Sequence, residues 1–264
     1  MVRLHFETSL LFASLTLFKN ASAQNCTRAM LQEAADSYVA AQAAGLYNNI
    51  KWLSSNVVYN ENNKTADITK GILSQALAIA HNRSTLDTTQ CATYTELIIV
   101  DPKYPTVSGT QMRFTGSNIT KIESIITHKG DWLFNATGTL SYATPENWGT
   151  IPVEKRDTRA TIQAAADAYL DLFNNASIVV PWGTPCARLE GGMYINGNCD
   201  LGVPSGIPMT NRRYVIDETV GTVDVMLMLD GATGMPDSHE YRIESGKLRY
   251  VHTMSVNVTH PASI

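Results

Sequence analysis

Charge and histidine are both scarce in this chain of 264 residues: 17% of the residues are charged, the formal net charge is -4, and there are 6 histidines. No stripe of Lys and Arg runs through it, which excludes the electrostatic footprint of a nucleic-acid or anionic-membrane binder. A phosphate loop is missing too, since Gly191-Gly192 has neither the Gly-x-Gly-x-x-Gly spacing nor a helical pattern after it. There is no Gly-x-Ser-x-Gly elbow, no nucleotide fingerprint and no paired-carboxylate motif, so hydrolase, kinase and dehydrogenase readings fall away. Without His-x-His or His-Glu-x-x-His the expectation is a protein with no metal and no cofactor. Beyond the N-terminus no apolar run is long enough to span a membrane.

What is present points to export. An apolar run from Ser9 to Phe18, followed by Ala21-Ser22-Ala23, reads as a signal peptide over residues 1–23. Four cysteines without a Cys-x-x-Cys spacing favour two disulfides over zinc, and Cys26–Cys91 with Cys186–Cys199 is the least strained pairing. Asn-x-Ser/Thr sequons stand at Asn25, Asn63, Asn82, Asn118, Asn135, Asn175 and Asn257. Together these describe a secreted or secretory-pathway glycoprotein.

The chain is also duplicated. "TRAMLQEAADSYVAAQ" from Thr27 and "TRATIQAAADAYLDLF" from Thr158 align without gaps, each an amphipathic helix; Ile162, Ala165, Ala166, Tyr169, Leu170 and Phe173 mark the apolar face of the second. Alternating segments follow each helix and end in a hairpin. "ATPENWGTIPVEKRD" between the halves has linker composition, and its Lys155-Arg156 reads as part of a soluble linker rather than a processing site. The expected organisation is a first domain over 24–142, a linker over 143–156 and a second domain over 157–264. The class is α+β, with N-terminal helices on a curved antiparallel sheet in each unit. This order of elements resembles the cone-shaped NTF2/SnoaL-like fold, in two tandem copies.

In the second half, "SHEYRIESGKLRYVHTM" reads as a hairpin turning at Ser245-Gly246. Unbroken pairing sets His239 opposite His252 and Tyr241 opposite Tyr250, on a buried face that also holds Ile243, Leu248 and Met254. Glu240, Arg242, Glu244, Lys247 and Arg249 form the solvated face. Laid over the first hairpin through Lys121 and Lys247, His252 matches Ile126, so the histidine pair belongs to the second copy alone. A facing pair of imidazoles in an apolar hollow binds a polar ligand atom or moves a proton. Equally, each ring is satisfied by a tyrosine or a carbonyl and is structural. His239, His252, Arg188, Tyr241 and Tyr250 are therefore the candidate catalytic residues.

"VPWGTPCARLEGGMYINGNC" adds Trp182 and, within the ring closed by Cys186 and Cys199, Arg188 and Glu190, either as a structural ion pair or as the polar end of the pocket. Trp182, Glu190 and Met254 are candidate substrate-binding residues. Arg213 and Asp217 of "NRRYVIDE" join them as charges that reach inward, with surface exposure as the alternative.

With "PWGTPCARLEGG", "TNRRYVIDE", "PDSHEYRIESGKLRYVHT", "YTELIIVDP" and "GDWLFNATGTL" in view, the chain resembles a family of secreted fungal proteins of largely unassigned function, similar to the hetero-Diels-Alderases of tropolone-sesquiterpenoid biosynthesis. The resemblance implies a cofactor-independent pericyclase of secondary metabolism that joins a tropolone-derived ortho-quinone methide to a humulene-type sesquiterpene. It implies small apolar metabolites as partners, with pairing of two copies as a homodimer compatible with it. A SnoaL-like isomerase, cyclase or dehydratase and a non-catalytic secreted ligand binder stand as the alternatives.

Overall fold

The computed structural model describes residues 26–257; the expected leader and the Asn25 sequon lie outside the described residues. Helix α1 (Arg28–Ala44) is followed by strands β1 (Leu53–Glu61), β2 (Lys64–Thr65), β3 (His81–Asp87), β4 (Ala92–Ile99), β5 (Thr106–Thr115) and β6 (Asn118–Thr127). A short helix α2 (Ala136–Ala143) lies before the second unit, which repeats the order as α3 (Arg159–Leu172), β7 (Trp182–Glu190), β8 (Met193–Asn196), β9 (Met209–Asp217), β10 (Thr222–Leu229), β11 (Met235–Glu244) and β12 (Lys247–Ser255). The duplicated sequence acts locally in the same way in both copies. Thr27 and Thr158 cap their helices by accepting hydrogen bonds from the Met30 and Thr161 amides, satisfying donors that a helix start leaves open. Ala34, Ala35 and Tyr38, and again Ala165, Ala166 and Tyr169, form the buried stripe of each helix.

Each unit holds one six-stranded sheet, with orders β2-β1-β6-β5-β4-β3 and β8-β7-β12-β11-β10-β9. The sheets are mixed rather than purely antiparallel, because β1 runs parallel to β6 and β7 parallel to β12. The architecture is α+β, two helix-led six-stranded sheets in tandem. Each sheet packs one face on its own helix. The opposite faces pack on each other, Tyr94, Ile98 and Ile125 meeting Leu189, Val215, Met226 and Met254.

This sheet-on-sheet contact obeys a pseudo-two-fold relation. Arg28 of the first unit pairs with Asp217 of the second at 2.6 Å, and its counterpart Arg159 pairs back with Asp87 at 2.7 Å. The same carboxylates accept the backbone amides of Leu86 (3.1 Å) and Ile216 (2.9 Å) across the interface. Such reciprocity is the mark of an isologous contact.

Both expected disulfides are formed, Cys26–Cys91 and Cys186–Cys199. Among the described residues no helix is long and apolar enough to cross a membrane. Of the sequon asparagines, Asn82, Asn118, Asn135 and Asn175 are exposed. Asn63 is engaged at the domain interface with Arg213, and Asn135 caps α2.

Candidate functional site: a cavity in the second domain

The expected face-to-face pair of histidines does not form. Hairpin β11–β12 turns where the sequence indicates, but Arg242 pairs with Tyr250 while Ile243 pairs with Leu248, so Arg249 is an extra residue in β12. A bulge of one residue moves everything beyond it to the other face. His239 is therefore opposite Thr253, and His252 opposite Glu240. Glu240 and Arg242, read as a solvated face, are buried instead: Arg83 and Thr85 of the first sheet cover Glu240, and Arg242 donates to the carbonyls of Gly149 in the linker and of Val220. The first hairpin carries the same bulge, between Arg113 and Phe114. Aligned by their turns, the copies match His252 with Glu123 rather than with Ile126, and His239 with Thr110.

On the helix side of the second sheet lies a cavity of about 300 Å³. Phe173, Met193, Ile195, Ile207 and Leu229 give it apolar walls, with Trp132 and Leu133 closing one side. Its polar wall comes from the strand positions that alternation places inward. His239, 1% exposed, brings Nδ1 to 2.5 Å from an Asp237 carboxylate oxygen, and the other oxygen of Asp237 accepts the Ser255 hydroxyl at 2.5 Å. Nε2 of His239 has no hydrogen-bond partner. With Asp237 accepting from Nδ1–H, the lone pair of the neutral ring sits on Nε2, the arrangement of a general base held in one tautomer. Aromatic rings fix the imidazole, with Tyr169, Tyr241 and Phe173 centred 5.6, 6.0 and 6.1 Å away.

Arg188 and Glu190 share this cavity. Arg188 Nε donates to Glu190 at 2.9 Å, and Nη1 donates to the carbonyls of Cys199 and Leu201 at 2.9 and 2.8 Å, so the Cys186–Cys199 staple carries acceptors that hold the guanidinium. Tyr169 completes the group by donating to Glu190 at 3.2 Å. Burial, reinforced by Glu190, holds the Tyr169 phenol well above its ordinary range, which keeps it a donor. Gly191 and Gly192 have a structural task. A Cβ on Gly191 would come within 2.7 Å of the Leu133 carbonyl, and one on Gly192 within 2.4 Å of Asn135 Cβ. Only bare backbone lets the segment after β6 lie over β7, where the Leu133 carbonyl accepts the Gly192 amide at 3.0 Å. One wall of the second domain's cavity thus belongs to the chain leaving the first.

The other candidates sit elsewhere. Tyr241 lies behind His239 and outside the cavity lining, its hydroxyl without a partner. Trp182 packs edge-on against Tyr169 at 5.6 Å rather than into the space. Tyr250 stacks with Trp148 of the linker at 5.4 Å, and Met254 joins the core between the sheets; both were carried there by the bulge. Arg213 reaches across the interface to Asn63 at 2.7 Å and Glu123 at 3.2 Å, and Asp217 is the partner of Arg28. Their inward direction leads to the other domain, which is invisible when one half is considered alone.

His252 occupies a buried ionic cluster at that interface. Nδ1 is 2.9 Å from Glu96 and Nε2 is 2.7 Å from Glu146, while Arg83 pairs with Glu96 at 3.0 Å and with Glu240 at 2.5 Å and lies 3.7 Å over the Trp148 ring. Burial opposes charge on this imidazole, but the Glu96 carboxylate, helped by Glu146, outweighs it and raises the pKa to about 9. The ring is an imidazolium tying linker and domains together.

Asp237, Ser255 and Trp132 were missed by sequence reasoning. The signal for the first was available, because Asp-x-His on a strand puts carboxylate and imidazole on one face. Among the described residues no group of three or more His, Cys, Asp and Glu side chains is placed to hold a metal ion.

Residues 155–255, which include α3 and every strand of the second sheet, match a family model described as a domain of unknown function (DUF8021). No curated protein matches the chain. Among solved structures, an NTF-2 like protein of unknown function from Burkholderia xenovorans LB400 is similar over 45% of this chain and 96% of its own, with 13% identity and a TM-score of 0.32.

Proposed function

We propose that the second domain is an acid–base enzyme of the isomerase or dehydratase kind, acting on one compact apolar metabolite of the secretory or extracellular space. The observation that carries this reading is His239, which lines an apolar cavity with Nδ1 tied to Asp237 and Nε2 buried without a hydrogen-bond partner. Nε2 takes a proton from the substrate and Asp237 steadies the imidazolium that results; the imidazolium then protonates a second carbon in an isomerisation, or the departing hydroxyl so that water leaves in a dehydration, and between turnovers its proton exchanges with solvent.

A second reading is the cofactor-independent hetero-Diels–Alder cycloaddition. It is favoured by the apolar lining, which suits a hydrocarbon, and by His239 as a hydrogen-bond donor to a quinone methide oxygen. Volume argues against it, since about 300 Å³ stands at the small end of ligand sites and holds one compact molecule rather than two joined partners.

Nitrogen NMR of the histidine ring tests the base directly: a neutral His239 with the proton on Nδ1 is expected, and a proton on Nε2 refutes it. With β-ionone as probe in deuterated water, the wild type should exchange protons next to the carbonyl, with Asp237→Asn and His239→Gln slower by about a hundredfold or more. Exchange that survives His239→Gln would remove the base. A rate independent of pH, with turnover of a quinone methide and humulene, would favour cycloaddition.

A further inference from the structure

The first domain keeps a cavity of its own, of about 310 Å³. It occupies the place that the dyad cavity holds in the second. Glu61 lines it as Glu190 lines the other, and the parallel strand pairs agree, with Glu61 opposite Ser124 and Glu190 opposite Thr253. The chemistry differs. At the positions of Asp237 and His239 stand Ser108 and Thr110, and the Thr110 hydroxyl is spent on Tyr38 and Ser124, each at 2.8 Å. Neither residue lines the first cavity, so the dyad of the second has no counterpart there.

The mouths differ too. Asp230 borders the second cavity, whereas Lys103, Lys129 and His128 border the first. Both lysines are exposed, and neither makes an ion pair among the described residues. The carboxylates nearby are already engaged: Glu61 accepts the Tyr59 hydroxyl at 2.5 Å and the Ile72 amide at 2.6 Å, Asp101 accepts the Lys103 amide at 2.8 Å, and Asp131 accepts the His128 amide at 2.7 Å. His128 itself faces the Thr106 hydroxyl at 3.3 Å. The Lys103 ammonium lies 5.1 Å over the ring of its neighbour Tyr104, an exposed cation–π contact that leaves its charge unneutralised. Two ammonium groups without a carboxylate partner at the lip of a largely apolar hollow suit a molecule with an anionic head and a hydrocarbon body.

We propose that this cavity is a second, non-catalytic ligand site selective for a compact apolar carboxylic acid. The carboxylate lies between Lys103 and Lys129 and the body rests against Ile72, Leu77 and Ile126. The site stands independently of any activity in the second domain.

Titration calorimetry with 4-phenylbutyrate and its uncharged amide tests it on the full chain. The acid should bind at one site, the amide about tenfold or more weaker, and the paired charge reversal Lys103→Glu with Lys129→Glu should cost the acid about tenfold or more. Both lysines are exposed, so that variant keeps the fold, which circular dichroism checks. Leu77→Trp, which fills the hollow, should abolish binding of both probes. His239→Gln should change nothing. Equal affinity for acid and amide, no binding of the acid, indifference to the lysine reversals, or loss of binding in His239→Gln would each overturn the proposal.

Discussion

Raising the pH should loosen the joint between the domains through one residue. In the folded protein His252 titrates at about 9, against an ordinary 6.5. A raised imidazole pKa means that folding is favoured by the bound proton; the contribution is complete below pH 6.5 and is lost as pH climbs through about 9. A shift of this size corresponds to about 3 kcal/mol. For a chain this long that is a fall of about 6–12 °C in melting temperature. Glu96 is the other side of the same pair: burial opposes its charge, yet Arg83 and then His252 outweigh it and bring it down to about 2. Its share is present above its ordinary pKa of 4.5 and fails only in acid. His81, held below its ordinary value by burial, titrates on the acid side of this window. Urea unfolding of wild type and His252→Gln between pH 6 and 9.5 isolates the effect. The two should differ most near pH 6, and the gap should close by about 3 kcal/mol towards pH 9.5. A gap that stays constant with pH would show that His252 holds the joint by shape or by neutral hydrogen bonds, and the ionic account would fail.

Two further outcomes follow from the interface and the staple. Asp87→Ala and Asp217→Ala each strand an arginine and a backbone amide across the pseudo-two-fold, so each should cost about 2–4 kcal/mol in urea unfolding, by similar amounts; a loss below about 1 kcal/mol in either would reduce that pair to a surface contact. Replacing Cys186 and Cys199 by serine should cost about 3 kcal/mol for a short closed loop. It should also blur the Arg188–Glu190 end of the second cavity while leaving phenylbutyrate binding in the first intact, and parallel damage to both would contradict the separate sites.

The features legible in the sequence were those that repeat or are local. The paired "TRA" helix starts, the buried Tyr38 and Tyr169 and the Ser245-Gly246 turn rest on interactions within a few residues or on a motif seen twice, and the two disulfides on an even set of four cysteines. The misreading in the hairpin has a single cause. Arg249 is an ordinary strand residue by composition, and nothing local announces that it bulges. Yet it moves His252, Tyr250 and Met254 from one side of the sheet to the other. Arg213, Asp217 and Glu240 were misjudged for a different reason: their partners Glu123, Arg28 and Arg83 are in the other domain. Alternation identifies a charged face, and only the assembled pair of sheets shows that the face is covered.

Duplication explains why that covered face is polar. Two copies joined back to back place the same strand positions against each other, so identical charges there would repel. The copies differ at these positions: Glu240 in the second stands where the first has Gln111, His252 where it has Glu123, and Met226 where it has Glu96, while Arg83 and Arg213 correspond and each crosses to the other half. Gln111 donates to Asp224 at 2.6 Å across the joint, and Glu240 is answered by Arg83. Each half thus carries buried groups that only the other can satisfy, which costs stability if the halves part and fixes their register when they meet. The helix-side faces, free of that constraint, diverged in the opposite sense. One carries His239 with Nε2 unpartnered beside Asp237, the other Ser108 and Thr110 at those positions and a cavity bordered by Lys103 and Lys129.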